Sequence, residues 1–261
     1  MEVDHPWFSW PAEAMVQPVM SDERARTIGA LRATGFAFLS PEAATAALAL
    51  PPAGLVALAD SWERLPRDAY LRDGGHYRAR RHSCFVQSFD PPGLEMVPHR
   101  PHWQPTSYNA LHGGLTRWFE PITPEVSGAP AWRALLGALG ALFAEVAPVP
   151  RWYIEAHQFR IDTAGGIGRP TPEGAHRDGV DFVAVVLVAR RHVRGGETRV
   201  FDAAGQAGVR FTMQHSGAML LMDDARVIHE TTPIQPEAGE GVRDTLVLTY
   251  RAAGFQAPDA P

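Results

Sequence analysis

The segment His176-Arg177-Asp178-Gly179-Val180-Asp181-Phe182-Val183-Ala184-Val185-Val186-Leu187-Val188 joins two patterns. Its second half, residues 182–188, is apolar throughout, with no charge and no turn former. A run this short and unbroken is expected of a strand buried on both faces. Its first half opens on His176-Arg177-Asp178. In an extended chain residues i and i+2 share a face, so His176 and Asp178 point one way and Arg177 the other. A rigid strand headed by an imidazole and a carboxylate on one side suits a metal site at the mouth of a barrel. The preceding Gly/Pro-rich residues 164–174 read as a surface loop or a lid.

Working outward, residues 152–162 alternate and are rich in β-formers, and Gly195-Gly196 precedes a strand at 197–201. Residues 217–222 are apolar and end in the turn signal Asp223-Asp224; strands at 227–232 and 245–250 come next. Short strands separated by Gly, Pro and Asp predict an antiparallel sandwich or jelly roll. Before Pro150 the chain reads as mixed helix and loop. Ser21 caps a helix with Asp22 and Glu23 in its first turn, ending at Gly35, and residues 36–39 look like a short strand. Leu55, Leu58, Trp62 and Leu65 recur at helical spacing up to Pro66. Trp132, Leu135, Leu136, Leu139, Leu142, Phe143 and Val146 form the strongest helical stripe, between Pro130 and Pro148. The expected organisation is one domain over residues 1–261. A helix-rich part, 1–150, packs on a main β-core, 151–252, that carries the site. The tail from Pro258 is expected to fray.

Composition narrows the function classes. The chain has 261 residues, 45% hydrophobic and 20% charged, with net charge −5. That balance suits a globular domain large enough to bury roughly three quarters of its unfolded surface. A nucleic-acid partner would call for a basic stripe, and the one basic run, residues 78–82, is short and isolated. No membrane partner is expected, since no apolar run approaches the roughly 18 residues of a span. The acidic, Pro-containing start lacks the blocks of a signal peptide, so a cytoplasmic location is expected. Cys84 is the single cysteine, which precludes an intramolecular disulfide and suits a buried small hydrophobe.

The His-x-Asp spacing alone is common by chance; the residues downstream of it give it meaning. His229 comes directly after an apolar strand and its acidic turn. Two imidazoles and one carboxylate form the facial triad of non-haem Fe(II) oxygenases, which leaves one face of the metal open. Arg243 begins the last strand pattern and shares a face with Thr245. A guanidinium binds a carboxylate bidentately and a neighbouring hydroxyl adds a bond, which suits the distal carboxylate of 2-oxoglutarate. Zinc accepts the same ligands, but the chain has no His-Glu-x-x-His helix, and a zinc hydrolase leaves Arg243 without a role.

These residues sit in wider motifs. Residues 176–183, Arg194-Gly195-Gly196-Glu197-Thr198, His229-Glu230-Thr231-Thr232-Pro233-Ile234 and Arg243-Asp244-Thr245-Leu246-Val247 resemble the bacterial 2-oxoglutarate/Fe(II) dioxygenases that hydroxylate free amino acids, the isoleucine-dioxygenase-like family. Asp73-Gly74, Tyr77-Arg78-x-Arg80-Arg81 and Tyr108-Asn109-x-x-His112-Gly113-Gly114 extend the likeness over residues 65–252. The resemblance implies a mainly β fold with N-terminal helices on a double-stranded β-helix, the cupin-like jelly roll. It implies His176, Asp178 and His229 as iron ligands and Arg243 as the 2-oxoglutarate partner. The reaction it implies couples oxidative decarboxylation of 2-oxoglutarate by O2 to hydroxylation of a free L-amino acid or cyclic amino acid, with ascorbate as a helper in vitro.

A zwitterionic substrate needs a cation and an acceptor. Arg80, Arg81 and Arg160 are candidates for the first role, and Glu155, His157 and Gln158 for polar contacts. Gln158 and Arg160 share a strand face expected to lead toward the site. The rival functions are a dioxygenase acting on a carrier-tethered amino acid or small natural product, and a non-enzymatic cupin-type binding protein.

Overall fold

Strand β5 (Phe182–Arg191) lies well inside the larger of the β-sheets, and the reason its sequence is apolar throughout is visible there. The computed structural model describes residues 21–50, 58–109 and 111–258. Ahead of β5 come α1 (Asp22–Thr34), β1 (Phe36–Leu39), α2 (Pro41–Leu48), β2 (Arg78–Phe89), β3 (Pro92–Met96), α3 (Pro130–Val146) and β4 (Arg151–Asp162). After it come β6 (Val193–Gly195), β7 (Thr198–Asp202), β8 (Gly208–Phe211), β9 (Met219–Asp223), β10 (Val227–Thr231), β11 (Ile234–Pro236) and β12 (Val242–Arg251). The large sheet has the order β1-β9-β5-β12-β4-β2-β3, and its strand pairs are antiparallel. Opposite it stand β10-β7-β8 and the pair β11-β6. The result is a jelly-roll core.

On β5, Phe182, Ala184, Val186 and Val188 join one hydrophobic cluster, under the helices. Val183 and Leu187 join a second cluster with Val200, Met213 and Val227. Both faces are therefore dry. Helix α3 fills the first cluster with Trp132, Leu135, Leu136, Leu139, Leu142 and Phe143, all fully buried. Each such side chain contributes about 1.5–3 kcal/mol. The Phe143 ring stacks on Phe182 at 4.6 Å, and Tyr250 Oη donates to the Leu136 carbonyl at 2.9 Å. Helix α1 starts as expected, with Ser21 Oγ accepting from Arg24 N, and ends at Gly35 with φ 82°.

Three sequence expectations need correction. The Leu55–Leu65 stripe does not form an α-helix where it can be seen: residues Ala59–Arg64 form a 3-10 turn, and Leu55 lies outside the described residues. Strands β2 and β3 were not anticipated. Residue 150 also marks no boundary in the sheet, because β1, β2 and β3 supply three of its seven strands. Strand β2 pairs with β4 from Arg78↔Ile161 to Ser88↔Arg151. It escapes recognition because Arg78, Arg80 and His82 occupy one of its faces, so the apolar alternation of an ordinary half-buried strand is missing. The residues past 258, where fraying was expected, lie outside the described part. Among the described residues no helix is long and apolar enough to cross a membrane.

Candidate metal centre and substrate cavity

His176 and His229 face each other across an isolated antiparallel bridge. Each backbone N–H donates to the other's carbonyl at 3.0 Å. That reciprocal pair sets the rings 4.6 Å apart. Asp178 sits two residues on, on the same side: its Oδ1 lies 3.8 Å from His176 Nε2 and its Oδ2 3.8 Å from His229 Nε2. One ligand atom from each of the three lies within 4.8 Å of the others. His176 Nδ1 donates to the Gly174 carbonyl at 3.0 Å, which fixes the ring with Nε2 directed at Asp178. Burial and the neighbouring His176 push His229 down to about 3, so it is a neutral ring, whereas against burial the Asp178 and Glu173 carboxylates raise His176 above its ordinary value. Two imidazoles and a carboxylate, open on the third side to a cavity, fit a divalent cation, which would take the place of the His176 Nε2 proton.

The loop that carries Asp178 is held by a residue that in the sequence is no more than a turn signal. Asp224 is fully buried. Its carboxylate accepts from three consecutive amides: Asp178 N at 2.9 Å, Gly179 N at 2.7 Å and Val180 N at 3.1 Å. Gly179 has φ 75°, and a Cβ there would meet the Tyr108 ring at 2.4 Å. Gln256 Nε2 closes the loop from the C-terminal side, donating to the Asp178 and Gly179 carbonyls at 3.1 and 2.8 Å. Gln104 Nε2 donates to Asp178 Oδ1 at 3.1 Å, and Arg117 Nη2 donates to Gln104 Oε1 at 3.2 Å. The segment before His176 is pinned, not free: Gly168 bridges Ile234, and Thr171 Oγ1 bonds both the amide and the carbonyl of Thr231.

The cavity behind the triad is lined by alternate residues of three paired strands. Strand β12 contributes Arg243, Thr245, Val247 and Thr249; β4 contributes Glu155, His157, Phe159 and Ile161; β2 contributes Arg78 and Arg80. Arg243 is 4% exposed, and among the described residues it has no carboxylate within 4.0 Å. Its Nε is buried without a partner. Burial and nearby Arg190 push its pKa down to about 10, so it stays cationic. A buried guanidinium without a counter-ion is costly; one facing a cavity beside the Thr245 hydroxyl is a receptor for a ligand carboxylate. The residues therefore fit 2-oxoglutarate as well as iron.

Other candidates fall on the wrong side of the sheet. Side chains on a strand alternate, and on β4 the odd-numbered residues from Glu155 to Ile161 face the cavity. Gln158 points away and donates to Ser61 Oγ at 2.9 Å. Arg160 points the same way, held by Asp244 through Nε and Nη2 at 2.7 Å each, and by Glu63. Arg81 bonds Glu120 at 2.9 Å and the Pro121 carbonyl at 3.0 Å. Of the four suggested substrate contacts, Arg80 alone lines the cavity; Glu155 and His157, suggested for polar contacts, do as well.

Around Glu155 lies a group that the sequence did not reveal as a group. Glu155 Oε2 accepts from His102 Nδ1 at 2.6 Å and His82 Nε2 at 3.0 Å, with His157 Nε2 at 3.7 Å. Ligand atoms of all four residues lie within 4.8 Å of one another, close enough for a metal. The Arg80 contact argues against one. Arg80 Nη2 lies 2.6 Å from His157 Nδ1 and can only donate, which puts the His157 proton on Nε2, facing Glu155. All three rings thus turn N–H groups, not lone pairs, toward the carboxylate. Burial pushes His102 down to about 4 and His82 below its ordinary value, so both are neutral donors. Burial alone would raise Glu155, yet the His102 and His82 bonds hold it well below the usual carboxylate range.

A jelly roll with two imidazoles and a carboxylate on its rim, and an unpaired buried arginine behind them, defines a non-haem iron oxygenase. The chain belongs to the 2OG-Fe dioxygenase family, whose model matches residues 59–249. It is 58% identical to a bsmA homologue from Methylobium petroleophilum PM1, over 90% of this chain and 95% of that one, with a TM-score of 0.86. More distant likenesses show the fold. IDO from Bacillus thuringiensis is 17% identical, with a TM-score of 0.70 over 88% of this chain and 95% of that one. The Fe(II)/α-ketoglutarate-dependent dioxygenase TqaL is 19% identical, with a TM-score of 0.67 over 88% and 86%. No curated protein matches the chain in sequence. Family membership makes the protein an oxidoreductase that uses Fe(II), 2-oxoglutarate and O2, which displaces the purely binding barrel.

Proposed function

We propose that the protein hydroxylates a free L-amino acid or cyclic amino acid, with His176, Asp178 and His229 holding Fe(II) and Arg243 with Thr245 holding the far carboxylate of 2-oxoglutarate. The observation that carries this reading is the charge balance of the cavity. Its four arginines, Arg78, Arg80, Arg117 and Arg243, meet four carboxylates: Glu155, Glu173 and Asp178 in the lining, and Asp68 on Arg78 at 2.7 Å. Fe(II) and the 2-oxoglutarate dianion cancel each other. A buried site disfavours uncompensated charge, so the remaining ligand should carry no net charge. Arg80 and Glu155 nevertheless offer it groups of both signs. A zwitterion meets both conditions.

When bound, iron and 2-oxoglutarate supply the oxidising chemistry: substrate, 2-oxoglutarate and O2 give hydroxylated substrate, succinate and CO2, one oxygen atom entering each of the first two. The chain's own share is to orient and to exclude water. The His176–His229 bridge and the Asp224-held loop fix the ligands. Arg243 fixes the cosubstrate, and Val185 and Val247 add apolar surface to the cavity lining.

The test is incubation with Fe(II), ascorbate, 2-oxoglutarate and free amino acids, followed by mass spectrometry. The expected product has gained one oxygen and appears in step with succinate. Succinate release that depends on a natural product or a carrier-bound aminoacyl group, with no oxygen gain on any free amino acid, would overturn the reading.

A further inference from the structure

Arg80 is 3% exposed, and its guanidinium lies between two rings, 3.8 Å from the centroid of Phe119 and 4.3 Å from that of Phe159. The two rings hold the plane of the guanidinium and supply cation–π attraction. They supply no counter-ion, and among the described residues no carboxylate lies within 4.0 Å of Arg80. Only Nη2 is engaged, on His157 Nδ1; Nε is buried without a partner. On the far side of the His157 ring stands Glu155. Its Oε2 takes the His82 and His102 N–H groups, while Oε1 receives no hydrogen bond from the described residues. A buried cation and a buried anion thus face one cavity, each half-satisfied. A single imidazole, 2.6 Å from one and 3.7 Å from the other, keeps them from pairing directly.

We propose that Arg80 and Glu155 are the two ends of a zwitterion-binding subsite: the substrate's α-carboxylate binds the Arg80 guanidinium, its α-ammonium donates to Glu155 Oε1, and the side chain is left to reach the triad. The proposal rests on the amino-acid hydroxylase reading and deepens it. The three imidazoles have a definite task here. Their N–H groups stabilise the Glu155 carboxylate without cancelling its charge, because they are neutral. An ammonium therefore finds an ionised acceptor in a buried cavity, where a charge-assisted bond is stronger than in water. The subsite also separates free from tethered substrates. A carrier-bound aminoacyl group has a thioester where the carboxylate would be, and leaves Arg80 buried without an anion.

The experiment is anaerobic titration calorimetry on the enzyme loaded with Fe(II) and 2-oxoglutarate, using the standard L-amino acids in pools. At least one pool should bind. The methyl ester and the N-acetyl derivative of the tightest ligand should each bind roughly 10- to 100-fold more weakly, the loss expected for one charge-assisted bond. Arg80→Gln and Glu155→Gln should weaken the parent amino acid by a similar factor while leaving 2-oxoglutarate affinity unchanged. Arg80→Lys should recover part of the loss. If a variant fails to fold, the ester and N-acetyl comparison on the unaltered enzyme decides. Binding of no amino acid, an ester that binds as tightly as the acid, or folded variants with unaltered affinity would overturn the subsite. The two readings fail separately. Hydroxylation of a free amino acid whose KM is untouched by Arg80→Gln removes the subsite and keeps the reaction. Arg80-dependent binding without any hydroxylated product keeps the subsite and removes the reaction.

Discussion

Asp224→Asn tests how the metal loop is held. In the folded protein one carboxylate oxygen takes the Asp178 amide at 2.9 Å and the other takes those of Gly179 and Val180 at 2.7 and 3.1 Å. The side chain is fully buried, so water cannot replace any of these bonds. Asparagine keeps the shape but has one oxygen. If that oxygen stays on Gly179 and Val180, its NH2 group faces the Asp178 N–H, donor against donor. One buried amide is then unsatisfied, at about 1–3 kcal/mol, and two bonds lose their charge assistance. A total of about 2–4 kcal/mol is expected, which lowers the melting temperature of a domain this size by roughly 5–15 °C. The strain falls on the peptide that carries Asp178. Partners of metal ligands typically change affinity 10- to 100-fold, so Fe(II) should bind weaker by that factor in anaerobic titration, with 2-oxoglutarate affinity falling in step. Differential scanning calorimetry of the apoprotein separates the stability effect from the metal effect. An Asn variant that melts with the parent and holds iron as tightly would refute the reasoning, because the three amides would then not depend on the Asp224 charge.

Arg243→Met should weaken 2-oxoglutarate roughly 10- to 100-fold while Fe(II) affinity stays constant; anaerobic equilibrium dialysis of both ligands measures it, and equal loss of both would place Arg243 in the fold instead. Acid should destabilise the apoprotein early. Burial pushes His102 and His112 to about 4, against an ordinary 6.5. Between those values the unfolded chain binds more protons than the folded one, so stability falls as pH falls through that window, by about 1.4 kcal/mol per pH unit for each histidine. The urea midpoint should therefore drop between pH 7 and pH 5, and a flat profile would contradict neutral buried imidazoles.

Much of the β-core was legible because burial and period agree there. Residues 182–188 are apolar since both faces of β5 are covered, and α3 announces itself because its stripe packs against one sheet. The triad was legible for a local reason: His176 and Asp178 are two residues apart on extended chain, and His229 comes after an apolar strand. Strand β2 was not, since its cavity face is charged and resembles a solvated basic run. The side of β4 was misread as well. Periodicity says that Gln158 and Arg160 share a face, and nothing local says which face meets the cavity. That choice belongs to α3 and the 3-10 turn, which cover the even-numbered side and leave Glu155, His157 and Phe159 for the site.

By itself, then, the order of residues determined the class of fold, and it pointed to the proposed donor set of the metal and the arginine behind it. These depend on alternation within single strands and on ligand chemistry, and both can be read along the chain. The Asp224 clamp and the His82–His102–His157 cage around Glu155 were decided only in three dimensions. Asp224 follows β9 and holds the loop before β5, 44 to 46 residues earlier, while the cage members lie 2 to 75 residues apart in β2, β4 and the loop after β3; the pairing of β9 with β5 and of β2 with β4 brings them together.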